Sequence, residues 1–369
     1  MSSSWGQLTK LRGRRLWLSI ASLLVLVPAI AFVIALSSFA LRTGPASAPI
    51  EVVIPPHASL GDVAGVLANA ELVHSRPLMT LYLTISTTEE DIAPGRHLLA
   101  GGLTPAALRE LVTRSGARPK RKITIPEGWN RFQIAGRLED GGIVGKSAFL
   151  EAAVEPTLLK AVGVPGPEGG NPESAEGYLF PATYELQLDS PGEDVVRRFV
   201  AEARGRWDRL AERHADDLSA LKNELGWDRR EIVILASMVE KEAAVDEERA
   251  TIAGVFLNRL TFPSFTPKRL ESDPTSAYGC LTARSSIPSC ARFEGKVTPA
   301  MNRDKANRYS TYTNEGLPPG PISNPGDKSL EAAMNPAISK YLFFVAKGGG
   351  RHTFSETFEE HNRAVRGDH

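Results

Sequence analysis

The chain has 369 residues, with Lys and Arg (43) balancing Asp and Glu (43) and a sequence pI near 7.1. That length predicts two or three folded units, each large enough to bury its own core. The neutral balance, with no basic tract through the main body, removes the electrostatic case for nucleic acid as a partner or for general binding to anionic membranes.

Leu16 to Leu41 carries no charge and is dominated by Leu, Ile, Val, Ala and Phe. As a helix these roughly 26 residues would extend about 39 Å, enough to cross a bilayer with some tilt. Lys10, Arg12, Arg14 and Arg15 precede the run and Arg42 stands alone after it. The positive-inside rule therefore predicts a cytoplasmic segment 1–15, a single transmembrane helix 16–41 and a body outside the membrane. The alternative is a cleaved signal peptide, but the run exceeds a usual signal core and the small residues after it make a weak cleavage site.

Beyond a small-residue linker, Ile50 to Ile54 reads as a strand, Ser59 caps a helix to about Leu67, and a second helix covers Pro77 to Ile85. Arg96 to Ala100 reads as a returning strand, and Thr104 caps a helix through Val112. This strand, helix, helix, strand order predicts a small α+β module. The turn-rich basic stretch Ser115 to Arg121 marks a boundary. A strand over Lys122 to Ile125, a helix over Arg131 to Leu138, and a helix of alanines and leucines from Ser147 toward Val162 come next. Val195 to Leu221 carries several further helical turns.

Asp228 followed by Glu231 forms a capping box ahead of an apolar run, so one long helix is expected from Asp228 to Leu260. At about 100° per residue, Ile232, Val239, Ala243, Ala250 and Leu257 form one stripe, and Glu242 falls on its flank. Glu240 points about 160° away from Glu242 on the same wheel, so only one of the two carboxylates is expected to be half-buried. Thr261 to Gly326 is rich in Pro, Gly, Ser and Asn, and so long an aperiodic stretch inside a domain points to function. A short helix over Ser329 to Ala333 and a strand over Tyr341 to Val345 close the domain. Gly348, Gly349 and Gly350 read as a hairpin turn rather than a phosphate cradle. Outside the cytoplasm, Cys280 and Cys290 would close a short disulfide loop, stabilising by about 2–3 kcal/mol; two thiols without His partners make a poor metal site.

There is no P-loop, no His pair at metalloprotease spacing, no nucleophile elbow and no calcium loop, so no cofactor and no metal are expected. What remains is a carboxylate with polar and aromatic loops: Glu242, Asn258, Ser272, Asp273, Tyr278, Tyr309, Thr311, Tyr312, Asn324 and His352. That set suits a sugar polymer, because a carboxylic acid protonates a glycosidic oxygen while rings, amides and hydroxyls contact pyranoses. From the residues alone, Glu242 could equally be a structural carboxylate paired to Arg249 or Arg259.

Seven motifs in order sharpen the choice: Ile125-Pro126-Glu127-Gly128, Glu176-Gly177-Tyr178-Leu179-Phe180-Pro181, Glu240-Lys241-Glu242, Asn258-Arg259-Leu260, Ser272-Asp273-Pro274-Thr275, Gly316 to Gly326, and His352-Thr353-Phe354. Together they resemble the MltG (YceG-like) family of inner-membrane endolytic murein transglycosylases. The resemblance implies an α+β protein with an N-terminal transmembrane helix, a LysM-like βααβ module over 49–117 and a larger mixed catalytic domain over 118–369. It also implies an inner-membrane protein with a periplasmic catalytic domain, peptidoglycan glycan strands as substrate, and peptidoglycan synthases as candidate partners.

In that family the second Glu of the Glu-Lys-Glu motif is catalytic, which matches Glu242. Asp273, Tyr309, Thr311, Asn324 and His352 are candidates for orienting the sugars or the acid, or equally for stapling their loops. Ala182, Glu271, Ser310 and the segment Cys280 to Cys290 depart from the family pattern. A hydrolytic muramidase using Asp273 as second carboxylate, and a non-catalytic glycan-binding scaffold, are the rival expectations.

Overall fold

The structure is a computed structural model that describes residues 24, 26–45, 48–55, 57–113, 120–168 and 170–367. The chain divides into two compact units, Met1–Pro119 and Lys120–His369. Residues 16–23 and 25 of the expected membrane span over 16–41 lie outside the described residues, as does the segment 1–15 expected to be cytoplasmic. Its described part forms helix α1 (26–41), along which Leu26, Ile30 and Val33 are exposed. Among the described residues no helix is long and apolar enough to cross a membrane.

In the first unit, strand β1 (Ile50–Ile54), helices α2 (Leu60–Asn69) and α3 (Arg76–Ser86), strand β2 (Gly95–Leu99) and helix α4 (Pro105–Thr113) follow in order. Ser59 accepts from the Asp62 amide while Asp62 caps back, which closes a capping box at the start of α2. β1 and β2 pair antiparallel, Ile50 opposite Leu99. Their inward residues Val52, Ile54 and Leu99 join Val63, Leu67, Met79, Leu83 and Leu108 in one core.

The second unit starts with β3 (Lys120–Thr124), α5 (Arg131–Asp140), α6 (Lys146–Ala152) and α7 (Pro156–Ala161). The single helix expected from Ser147 is therefore two, because Glu155 caps the second with Pro156 at its first position, where a missing N–H costs nothing. Strand β4 (Thr183–Gln187), absent from the sequence reading, pairs antiparallel with β3. α8 (Gly192–Arg213) and α9 (Ala215–Leu225) lead to α10 (Arg229–Glu242) and α11 (Arg249–Thr261).

The single long helix expected over Asp228 to Leu260 is a second correction. Ala243 turns to extended backbone (φ −79°, ψ 120°), and Asp246–Glu248 forms one 3₁₀ turn before α11 restarts at Arg249. Three consecutive acids there favour the positive N-terminal end of a new helix over the middle of an old one. The chain then forms α12 (Asp273–Thr282), α13 (Pro299–Arg303), α14 (Asp327–Met334), a β5 (Phe343–Gly348) to β6 (Arg351–Ser355) hairpin turning at Gly349 and Gly350, and α15 (Phe358–Arg366). α10 is the central element: all side chains from Ile232 to Val239 are buried, and α11, α12 and α14 pack around it. A helix apolar on every side belongs in the middle of a domain.

Candidate active site

The break after Glu242 leaves that carboxylate on the last turn of the central helix, with the chain turned away beyond it. The preceding acid, Glu240, diverges from it and is fully committed elsewhere. Its Oε2 accepts from Ser329 Oγ (2.6 Å), the Gly326 amide (3.2 Å) and Arg249 Nη1 (3.3 Å), and its side chain is only 7% exposed. The wheel placed the two acids apart, as found, but the expectation that only one would be buried fails: each is enclosed by its own set of neighbours.

Glu242 has a different environment. Its Oε1 accepts from Ser272 Oγ at 2.6 Å. Neither cation of the structural alternative pairs with it: Arg249 binds Glu240 and Asp246, while Arg259 donates to the carbonyls of Leu342 (2.7 Å) and Leu270 (2.6 Å). Burial is the main force raising the Glu242 pKa above the ordinary glutamate value, and the charge of Asp273 adds to it. The Ser272 hydrogen bond and the positive potential of His352 and Arg259 act against them. The result is a carboxyl that keeps its proton to higher pH, yet remains partly open to solvent.

Ser272 is held by a short network. Its amide donates to Thr311 Oγ1 (3.0 Å), its carbonyl accepts from Thr275 Oγ1 (2.6 Å), and the two threonine hydroxyls lie 3.0 Å apart. Because Thr275 already donates to Ser272, Thr311 is the donor between the threonines. Thr311 thus acts on Glu242 through Ser272. Asp273 opens α12 beside Ser272, exposed, with Oδ1 accepting from Asn302 Nδ2 (2.7 Å) and the Tyr312 hydroxyl (2.8 Å). Burial, then Asp273, keep the Tyr312 phenol protonated well above its usual range.

His352 reaches the site from β6. Its Nδ1 lies 2.8 Å from Glu248 Oε2, and both Glu248 oxygens also accept from the His352 amide (3.1 Å each). Burial works against ionisation of Glu248, but these bonds hold its pKa below the ordinary value. Sequence reasoning missed Glu248, since only the 3₁₀ turn brings it to the hairpin.

Tyr309 and Asn324 sit elsewhere. Asn324 is fully buried: Nδ2 donates to Glu176 Oε1 (2.7 Å) and the Trp129 carbonyl (2.9 Å), and Oδ1 accepts from the Leu179 amide (2.8 Å). Tyr309 packs edge-on against Tyr278 with centroids 5.0 Å apart, and burial raises its pKa to about 12. Both belong to a hub around Glu176, a fully buried acid that also accepts from Tyr278 (2.9 Å) and the Arg131 amide (3.0 Å). This hub ties the start of α5 to α12, and so fixes where Asp273 and Ser272 stand. Glu176 stands in a sequence motif and Tyr278 among the polar and aromatic loop residues, but nothing in their spacing shows that they meet across 102 residues.

Beside this constellation lies a cleft of about 830 Å³, lined among others by Lys241, Asp273, Gln133, Leu281 and Arg284. Glu242 does not itself line it, although the chain neighbours of Glu242 and Ser272 do. Among the described residues no cluster of acids, histidines and cysteines could hold a metal ion.

A family model for the YceG-like family matches residues 52–367. The chain belongs to the YceG-like family. Curated relatives include the endolytic murein transglycosylase of Bacillus subtilis, 28% identical over 325 residues that cover 85% of this chain and 83% of the relative. The endolytic murein transglycosylase of Streptococcus pneumoniae is also 28% identical, over 86% of this chain and 58% of its own length. The crystal structure of a yceG-like protein from Listeria monocytogenes superposes with a TM-score of 0.53 at 28% identity, covering 85% of this chain and 98% of that one. The mixed α+β architecture described above is therefore a YceG-like fold.

Proposed function

We propose that this YceG-like protein is an endolytic lytic transglycosylase, with Glu242 as its single catalytic acid and base. The observation that carries the reading is Glu242 itself: an enclosed carboxyl with an elevated pKa, no cation in ion-pairing range among the described residues, and one oriented hydrogen bond from Ser272. Such a group holds its proton to higher pH than an ordinary glutamate, as a general acid must.

Glu242 protonates the oxygen of the bond between N-acetylmuramic acid and N-acetylglucosamine, and that bond breaks as positive charge builds at the muramyl C1. The resulting carboxylate takes the proton of the muramyl C6 hydroxyl as its oxygen bonds to C1. The products are a 1,6-anhydro-muramyl end and a free N-acetylglucosamine end. No water is consumed, and Glu242 finishes protonated. One carboxyl therefore suffices, whereas a hydrolase needs a second group to activate water or to act as nucleophile. Asp273, fixed by Asn302 and Tyr312, raises the pKa of Glu242, and His352, fixed by Glu248, faces it with opposite potential.

The same reading puts the protein in the inner membrane through residues 16–41, with the N-terminus cytoplasmic, residues 49–117 a LysM-like module, and residues 118–369 a periplasmic catalytic domain. The excess of positive charge before the apolar run, Lys10, Arg12, Arg14 and Arg15 against Arg42 after it, supports that orientation. So does the Cys280–Cys290 disulfide, which belongs in an oxidising compartment. Synthases of the same glycan are the partners this placement suggests.

Mass spectrometry of glycan strands digested by the full-length protein tests the reaction. Anhydro ends are expected, and reducing ends would replace this reading with a hydrolytic one.

A further inference from the structure

The cleft beside Glu242 has a chemistry that the cleavage reaction leaves unused. It begins at Lys241 and Asp273, the chain neighbours of Glu242 and of the serine that holds it. One wall is α12. The other is the segment tied to α12 by the Cys280–Cys290 disulfide, whose own small core of Ile287, Phe293 and Met301 makes it a fixed wall rather than a loose loop.

The lining is mixed. Ala277, Leu281 and Val297 offer apolar surface, Lys241 and Arg284 are exposed cations, and Glu294 is an exposed anion. Arg284 is held to the wall by its Nε, which donates to the Ala291 carbonyl at 3.2 Å. Aromatic surface, which pyranose rings favour, is a minor part of the lining. The Phe132 ring is covered by the Arg131 guanidinium (4.7 Å to its centroid), while Tyr278 and Phe293 are buried. A volume of about 830 Å³ is in the range that encloses a compact ligand of several linked groups. Small apolar side chains, carboxylates and an amine are what this surface complements.

The position supplies the identity. In the proposed reaction the muramyl C1 stands at Glu242, and that ring carries a short peptide on its lactyl group two ring carbons away. The peptide leaves the glycan close to Glu242, and the cleft is lined by Lys241 and Asp273, the chain neighbours of Glu242 and Ser272. We propose that the cleft binds the peptide stem of the muramyl residue being cleaved, with alanine methyl groups on the apolar lining, stem carboxylates at Lys241 and Arg284, and the amine of the diamino acid at Glu294. This rests on the transglycosylase reading, and it makes stem-bearing strands, not bare glycan, the preferred substrate.

The test uses binding to the full-length Glu242→Gln protein, which reports on the cleft without turnover. Stem-bearing strands are expected to bind at least tenfold more tightly than strands whose stems have been removed by an amidase. Adding Arg284→Glu is expected to shrink that preference to less than threefold, and adding Arg284→Gln to shrink it by an intermediate amount. Equal binding of the two strands, or a preference that survives Arg284→Glu, overturns the stem site. Anhydro ends released by the wild type would in that case still support the reaction. A stem preference that depends on Arg284 with no anhydro product from the wild type would instead sink the reaction and leave the peptide site standing.

Discussion

Glu240 and Glu242 lie two residues apart on one helix, and removing each should have opposite consequences. In Glu240→Ala, Arg249 loses its buried partner, Ser329 Oγ and the Gly326 amide lose their acceptor, and a cation whose side chain is 10% exposed keeps the half-exposed Asp246 as ion-pair partner and Ser329 Oγ (2.6 Å) as a neutral acceptor. Breaking a buried ion pair from one side costs about 3–5 kcal/mol. Two features hold the loss near the lower end. Asp246 still reaches Arg249 at 3.1 Å, and Glu127, whose pKa is raised by burial and then by the charge of Glu240, is relieved of that repulsion. For a unit of this size about 3 kcal/mol corresponds to a fall in Tm of roughly 6–12 °C. The assay is thermal and urea unfolding of the full chain, with the denaturant slope unchanged so that the midpoint reports stability. Glu242→Gln should show no such fall, since Ser272 can donate to the amide oxygen as it does to the carboxylate. A Glu240→Ala protein as stable as wild type, or a Glu242→Gln protein destabilised to the same extent, would refute this division between a structural and a chemical carboxylate.

Other outcomes follow from the same contacts. Ser272→Ala removes a bond that favours the ionised form of Glu242, so the pH at which activity falls off on the alkaline side should move upward, with kcat reduced about tenfold or more by lost orientation; a downward move would contradict the assignment. The elevated pKa also links to stability. The folded state holds the Glu242 proton more tightly than the unfolded state, so that stabilisation is full below the unfolded pKa and lost as pH rises through the folded one. Glu242→Gln should therefore gain in Tm relative to wild type as pH rises above the ordinary glutamate range, and a difference that stays constant with pH would count against the shift. Asn324→Ala takes the acceptor from the buried Leu179 amide, at about 1–3 kcal/mol, and one donor from Glu176, while the Trp129 carbonyl keeps the backbone amide of residue 324; it should lower Tm by several degrees while leaving the pH profile of activity in place.

Local signals carried much of this architecture. The capping boxes at Ser59 and Asp228 start α2 and α10, and the alternation of Ile50 to Ile54 makes β1. The rest depends on what the chain meets after folding. β4 and β6 are short strands whose reason to exist is the partner across the hairpin or sheet, which periodicity does not reveal. The break at Ala243 interrupts an apolar stripe that runs on without a fault in the sequence, and only the acidic triplet Asp246 to Glu248 hinted at a restart. Glu242 stood out as a carboxylate among apolar neighbours. That Ser272 would hold it, that Arg249 would turn to Glu240, and that Asn324 would close a buried hub 148 residues from Glu176 are tertiary facts with no local trace.

The central claim is that Glu242 is the group that moves the proton, and the rate of anhydro-end release by Glu242→Gln beside wild type tests it most directly. With the variant folded and at least as stable as wild type, a loss of about 10²–10⁴-fold or more is expected, the range that a general acid contributes. Release of anhydro ends by Glu242→Gln at close to the wild-type rate would contradict it.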